Sequence, residues 1–130
     1  MSKLNRFAGM AAGLAAGFAS SLALASEVNV YSYRQPHLIE PLLEAFTQET
    51  GIKANVLSLQ QGLIERIKAE GEASPADVIL TVDIGRLTSA VREGVTQPVS
   101  DMVVDEQVPA NLRDPDGHWI GLTVRARIVY

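Results

Sequence analysis

At 130 residues, with no cysteine and a formal net charge of −4, the chain has neither disulfides nor thiolate metal sites available to it. Its acidic balance is unsuited to nucleic acid or to anionic membrane surfaces. The length suits one small domain, and no internal repeat interrupts it.

Residues 1–25 read as a secretory signal peptide. Lys3 and Arg6 form a basic start, Phe7 to Leu24 is uncharged and rich in Ala, Gly and Leu, and Ala23-Leu24-Ala25 gives the small-x-small pattern for cleavage before Ser26. The alternative is a retained anchor. The uncharged stretch is borderline for spanning a bilayer, and Gly9, Gly13 and Gly17 repeat at helix-pairing spacing. The cleaved form is favoured because a strand-like run starts almost directly after Ala25, and no membrane insertion is then expected. Loss of Lys3 and Arg6 takes the net charge from −4 to −6. An exported chain without cysteine folds without disulfides even in an oxidising compartment.

Glu27 to Ser32 reads as a strand, and Ser32 to His37, with Pro36, as a loop. Leu38 to Thr50 reads as an amphipathic helix carrying Leu38, Ile39, Leu42, Leu43, Ala45 and Phe46 at helical spacing. Pro41 is tolerable there only near the first turn, and Gly51 sits where a left-handed residue ends a helix. Ile52 to Leu59 is a second strand. Gln61 to Ala69 is a second helix, with Leu63, Ile64 and Ile67 as its apolar stripe. After the Ser74-Pro75 turn, Asp77 to Thr81 is a short third strand whose unbroken Val78-Ile79-Leu80 predicts burial on both faces of a parallel sheet. Ile84 to Glu93 is a third helix.

The βαβαβα order predicts an α/β fold, a parallel-sheet sandwich with helices on both faces. Pro98 to Pro109 is mixed. Asp114-Pro115-Asp116-Gly117 is a turn, and Trp119 to Tyr130 is a β-rich run broken by Arg125 and Arg127. The run stops in mid-strand, which predicts that residues 26–130 form an incomplete lobe of a longer protein.

In an open parallel sheet, ligands bind beyond the carboxyl ends of the strands. There the first strand offers Tyr31, Tyr33, Arg34, Gln35 and then His37, and the third offers Asp83. The first helix points its free N–H groups at the same edge, which favours an anion. These oxygen and cationic groups suit a hard ion, or an anion bound with one. Each has a plainer reading beside the functional one. Tyr31 reads as a core residue with its hydroxyl at the edge, and Tyr33 as either a ligand or a loop residue. Arg34 is an anion ligand or a surface arginine, His37 a ligand or a neighbour of the helix cap, and Asp83 a site carboxylate or a cap of the third helix. Arg125 and Arg127, two apart, share one strand face and could fork onto an anion or pair with carboxylates.

No G-x-S-x-G, P-loop or H-E-x-x-H is present, and His37 and His118 are far apart, so hydrolysis and phosphoryl transfer have no foothold.

Several ordered segments resemble the ferric-iron-binding periplasmic proteins, the substrate-binding components of iron(III) ABC importers. They are Val28-Asn29-Val30-Tyr31-Ser32-Tyr33-Arg34, Ala45-Phe46-Thr47-Gln48-Glu49-Thr50-Gly51-Ile52, Ser74-Pro75-Ala76-Asp77-Val78 and Gly121-Leu122-Thr123-Val124-Arg125-Ala126-Arg127-Ile128-Val129-Tyr130. The resemblance covers residues 27–130 but only the amino-terminal third or so of such a protein. It implies part of the first lobe of a type II periplasmic-binding-protein fold, a two-lobed clamshell that is monomeric at full length. Ferric iron sits in the cleft on tyrosine phenolates, often with carbonate or another anion, and is handed to a permease in the inner membrane. A trivalent ion lowers a phenol pKa far below its free value of about 10, so phenolate ligation becomes possible at neutral pH. The resemblance makes Tyr33, Gln35, His37 and Asp83 candidate metal-facing residues and Arg34, Arg125 and Arg127 candidate anion-facing ones. Arg125 falls on the arginine that approaches the anion. Gln35-Pro36 stands where many members place a His or a His-Tyr pair, a departure from the pattern. The family's paired tyrosines come from the second lobe, so one wall alone is expected to bind ferric ion weakly or not at all. The rival readings are a binding protein for another anion, a sugar or an organic acid, and a stand-alone exported α/β domain.

Overall fold

A computed structural model describes residues 26–124; the expected signal peptide, Arg125 and Arg127 lie outside them. Three parallel strands form the sheet: β1 (Glu27–Ser32), β2 (Lys53–Ser58) and β3 (Val78–Leu80), in the order β2-β1-β3. Between and after them run α1 (Pro36–Thr50), α2 (Leu63–Glu70) and α3 (Ile84–Arg92). A short α4 (Met102–Gln107) follows, and single 3-10 turns lie at Gly71–Ala73 and Ala110–Leu112. The expected α/β class with a parallel sheet is the observed one.

Register fixes the two faces of the sheet. Val30 lies beside Val56 and Val78, and Tyr31 beside Leu57 and Ile79. Alternation therefore puts Val28, Val30, Ala54 and Val56 on one face and Tyr31, Leu57 and Ile79 on the other. Against the first lies α1, whose Leu43 and Thr47 share a small cleft with Ala54 and Val56. On the second face, Tyr31 packs with Leu63 and Ile67 of α2, joined by Tyr33, Leu57, Leu59, Ile79 and Val95. Leu63 is fully buried and Tyr31 is 4% exposed. Burying each such side chain contributes about 1.5–3 kcal/mol. The predicted α2 stripe of Leu63, Ile64 and Ile67 is buried throughout.

Tyr31 meets a polar network at its far end. Its hydroxyl donates to Glu70, 3.1 Å from either carboxylate oxygen. Arg66 Nε and Ser74 Oγ also donate to Glu70, each at 2.7 Å. These bonds tie the middle of the sheet to the end of α2 and to the loop that enters β3. The Ser74 hydroxyl above all, with Arg66 and Tyr31, holds the Glu70 carboxyl below the usual carboxylate range.

Several expectations are corrected. Helix α1 begins at Pro36, not Leu38, because Pro36 has the preset φ and missing N–H that suit a first helical position. Pro41 then falls inside the helix, past the first turn. Leu38 and Leu42 are 56% and 57% exposed. The inward stripe is the narrower Ile39, Leu43, Phe46 and Thr47, since a helix on a small sheet buries little more than one row. Helix α2 starts two residues later than expected, after Gly62 in the left-handed region at φ 74°. Among the described residues the third strand is not buried on both faces: β3 stands at the edge of the sheet and Val78 is 41% exposed. Within Pro98–Pro109, α4 forms because the Asp101 carboxylate accepts the Val103 and Val104 N–H groups, at 2.8 and 3.1 Å. Residues 119–124 hold no strand; only an isolated antiparallel bridge, Arg113 to Ile120, marks the β-rich run. The Asp114–Gly117 turn forms as expected, with Gly117 N–H on the Asp114 carbonyl at 3.0 Å and Gly117 at φ 79°.

Candidate functional site

The three strands end on the same edge, and their tips assemble the candidate site. At the end of β1, the buried Ser32 hydroxyl accepts the Arg34 N–H at 2.9 Å and donates to the Arg34 carbonyl at 3.2 Å, which turns the chain. Two ladder bonds carry the sheet one step further: Tyr33 N–H to the Leu80 carbonyl and Leu59 N–H to the Ser32 carbonyl, both 2.9 Å. The tips of β1, β2 and β3 are thus fixed to one another just where the polar residues begin.

Tyr33 lies half-buried against the α2 core, and its hydroxyl oxygen accepts the Ile64 N–H at 3.3 Å. That bond satisfies one of the free donors in the first turn of α2. The Arg86 guanidinium carbon stands 4.2 Å from the centre of the Tyr33 ring, in the range of a cation–π contact. Asp83 caps α3: its Oδ1 accepts the Arg86 N–H at 2.9 Å. Tyr33, Asp83 and Arg86 are therefore brought together.

Gln35 and His37 belong to another part of the edge. Gln35 is the N-cap residue of α1, exposed and without a side-chain capping bond. His37 is exposed in the first turn of α1. Among the described residues, no hydrogen bond or ion pair joins either to Tyr33 or Asp83, and no three His, Asp or Glu side chains converge as a metal group. Arg34 is half-buried at the mouth of the Ser32 turn.

Sequence reasoning missed Arg86 and Gln60. Arg86 had a usable signal: it stands three residues after Asp83, the spacing at which a capping carboxylate and a first-turn arginine meet. Gln60 contributes its backbone carbonyl, and residue type says nothing of that. Ser58, in register with Ser32, has a buried hydroxyl that finds no partner among the described residues.

A groove of about 1030 Å3 runs along β3 and α3, with Val78, Leu80, Leu87, Ala90, Trp119 and Ile120 among its lining residues. Its lining mixes apolar with charged side chains, and none of Tyr33, Asp83 and Arg86 is among them.

A parallel sheet with polar strand tips gathered on one edge has the arrangement at which open α/β sheets bind ligands. The chain belongs to the family of bacterial extracellular solute-binding proteins, which matches residues 32–126. Among its relatives, iron uptake protein A1 of Synechocystis sp. is 48% identical over 104 residues, covering 79% of this chain and 29% of that protein. The major ferric iron-binding protein of Neisseria gonorrhoeae is 31% identical over 116 residues, covering 85% and 34%. Among solved structures, Mannheimia haemolytica ferric iron-binding protein A, in an open conformation, superposes with a TM-score of 0.74 at 52% identity, covering 76% of this chain and 31% of its own. A Trichodesmium protein solved with iron and citrate gives 0.69 at 45% identity, covering 74% and 31%. The resemblance to ferric-binding proteins read from the sequence is thus borne out, and the fold is part of theirs. The chain spans about 30% of the length of these proteins.

Proposed function

We propose that this chain forms one wall of a ferric-iron cleft in an exported solute-binding protein, which captures the ion with an anion and delivers it to an ABC-type permease without catalysis. The observation that carries this is the 52% identity and common fold with a ferric iron-binding protein. Iron is the cargo, and the strand tips suit it chemically: phenol, carboxylate and amide oxygens are hard donors. Tyr33 and Asp83 face the cation in this reading, with Gln35 and His37 alongside. Arg34, Arg125 and Arg127 hold the accompanying anion, carbonate or a small carboxylate, by forked hydrogen bonds.

Residues 1–25 act as the cleavable signal that takes the protein to the periplasm, and residues 26–130 are part of one lobe. A single wall supplies too few donors to enclose an ion, so the chain alone binds ferric ion weakly. Among the described residues, no helix is long and apolar enough to cross a membrane.

The test replaces the matching segment of Mannheimia ferric iron-binding protein A with this chain. Titration with ferric citrate should give the chimera a stoichiometric phenolate-to-iron absorption band, while this chain alone gives none. A folded chimera that binds no ferric ion sinks the iron reading and leaves another small solute as the cargo. Arg125→Ala in the chimera should weaken binding and its dependence on bicarbonate; unchanged behaviour removes Arg125 from the anion site.

A further inference from the structure

Arg86 touches the tip region of every strand in the sheet. Its guanidinium carbon lies 4.2 Å from the centre of the Tyr33 ring, beyond β1. Its Nη1 donates to the Gln60 carbonyl, beyond β2, at 3.3 Å. Its Nε stands 3.7 Å from Oδ2 of Asp83, beyond β3. An aromatic face, a carbonyl oxygen and a carboxylate thus converge on one positive charge. The base of the side chain is fixed, because the Arg86 N–H is held by the other oxygen of Asp83. The side chain is 38% exposed, so a path to water is open.

The same electron-rich set would attract a hard cation. A trivalent ion cannot settle on the Asp83 carboxylate while a guanidinium sits against it, because like charges repel over several ångströms even where water screens them in part. Arginine is well suited to holding such a place. It keeps its charge at any physiological pH, stacks on aromatic rings and is weakly hydrated.

We propose that Arg86 is the placeholder cation of the unloaded strand tips: it holds Tyr33 and Asp83 in position, and it swings aside when a hard cation takes its place. This rests on the reading of the tips as a cation-facing wall, and it goes further by naming the group that neutralises that wall when it is empty. Loading is then an exchange of cations, and Arg86 sets a threshold that a weakly charged ion fails to pass.

Terbium(III) chloride provides the probe, because a terbium ion beside a tyrosine emits when the ring is excited. The chimera that completes the cleft is titrated as wild type, Arg86→Met and Arg86→Lys. Methionine keeps the apolar stem without the charge; Arg86→Gln replaces it if R86M does not fold by circular dichroism. The neutral variant should bind terbium about tenfold more tightly than wild type, and R86K should stay near wild type. Adding Asp83→Asn to R86M should cancel the gain. A folded neutral variant with wild-type affinity overturns the placeholder. If wild-type binding still falls with Asp83→Asn in that case, the cation-facing wall stands and only the placeholder is lost. If terbium binding ignores Asp83→Asn in every background, the wall itself is misread.

Discussion

Tyr31 and Glu70 join the middle of the sheet to the end of α2: the phenol donates to the carboxylate, 3.1 Å from each oxygen. The ring of Tyr31 fills the core, and its hydroxyl emerges where a charged acceptor waits. Tyr31→Phe keeps the ring and removes only the bond. It should cost about 1.5–3 kcal/mol, the range for a hydrogen bond to a charged group. Urea unfolding of the two proteins, with equal slopes and a lowered midpoint for the variant, checks this. An unchanged midpoint would mean that water replaces the contact without loss.

The same carboxylate predicts a dependence on pH. Glu70 is held below its ordinary value near 4.5, first by the Ser74 hydroxyl and then by Arg66 and Tyr31. Lys68 holds Glu93 down in the same sense. A carboxyl whose folded pKa is depressed binds fewer protons folded than unfolded through this range. Its contribution is therefore fully present above the unfolded value and is lost as pH falls through the folded one. Stability should decline from about pH 4.5 downward, and Glu70→Gln should flatten part of that decline while lowering stability at pH 7. Unfolding midpoints across the acid range give the two curves. Parallel curves would assign the acid loss to other groups.

Leu63 is the anchor of the core, fully buried between Tyr31 and Ile67. Leu63→Ala should cost about 3 kcal/mol, the lost transfer energy plus a cavity that a three-stranded sheet has few neighbours to refill. Leu42→Ala, at an exposed position of α1, should shift stability by less than about 0.5 kcal/mol. Both can be read from urea midpoints. A small loss at Leu63 would show that the face between β1 and α2 adapts to the missing side chain.

The apolar periods of α2 and the runs of β1 and β2 were legible because each repeats over enough residues to identify its own element. The start of α1 was not, since a proline reads equally as a loop residue and as a first helical residue. Pro36 became helical because the turn set by the Ser32 hydroxyl delivers the chain in that direction. Val78-Ile79-Leu80 looked like a central strand because its own residues are apolar. Burial depends on what lies beside it, and among the described residues nothing pairs with its outer edge. At the site, residue types placed Tyr33 and Asp83 at strand ends correctly. They could not reveal that Tyr33 is already bonded to Ile64, nor that Arg86 bridges the tips, because both facts depend on contacts between distant segments.

Asp83 holds two roles that a pair of substitutions can separate. Its side chain caps α3, with Oδ1 accepting the Arg86 N–H at 2.9 Å, and its charge faces the Arg86 guanidinium. Asparagine caps nearly as well as aspartate, whereas alanine does not. Asp83→Ala should therefore lose about 1 kcal/mol of stability, and Asp83→Asn only a few tenths, because the exposed ion pair with Arg86 adds little. Cation binding should behave differently, since it depends on the charge rather than the cap. Both variants should lose it equally in the chimera that completes the cleft. Thermal unfolding gives the first comparison and ferric titration the second. If Asp83→Asn keeps full ferric affinity, the carboxylate serves the helix alone and the cation must be held by other oxygens of the cleft.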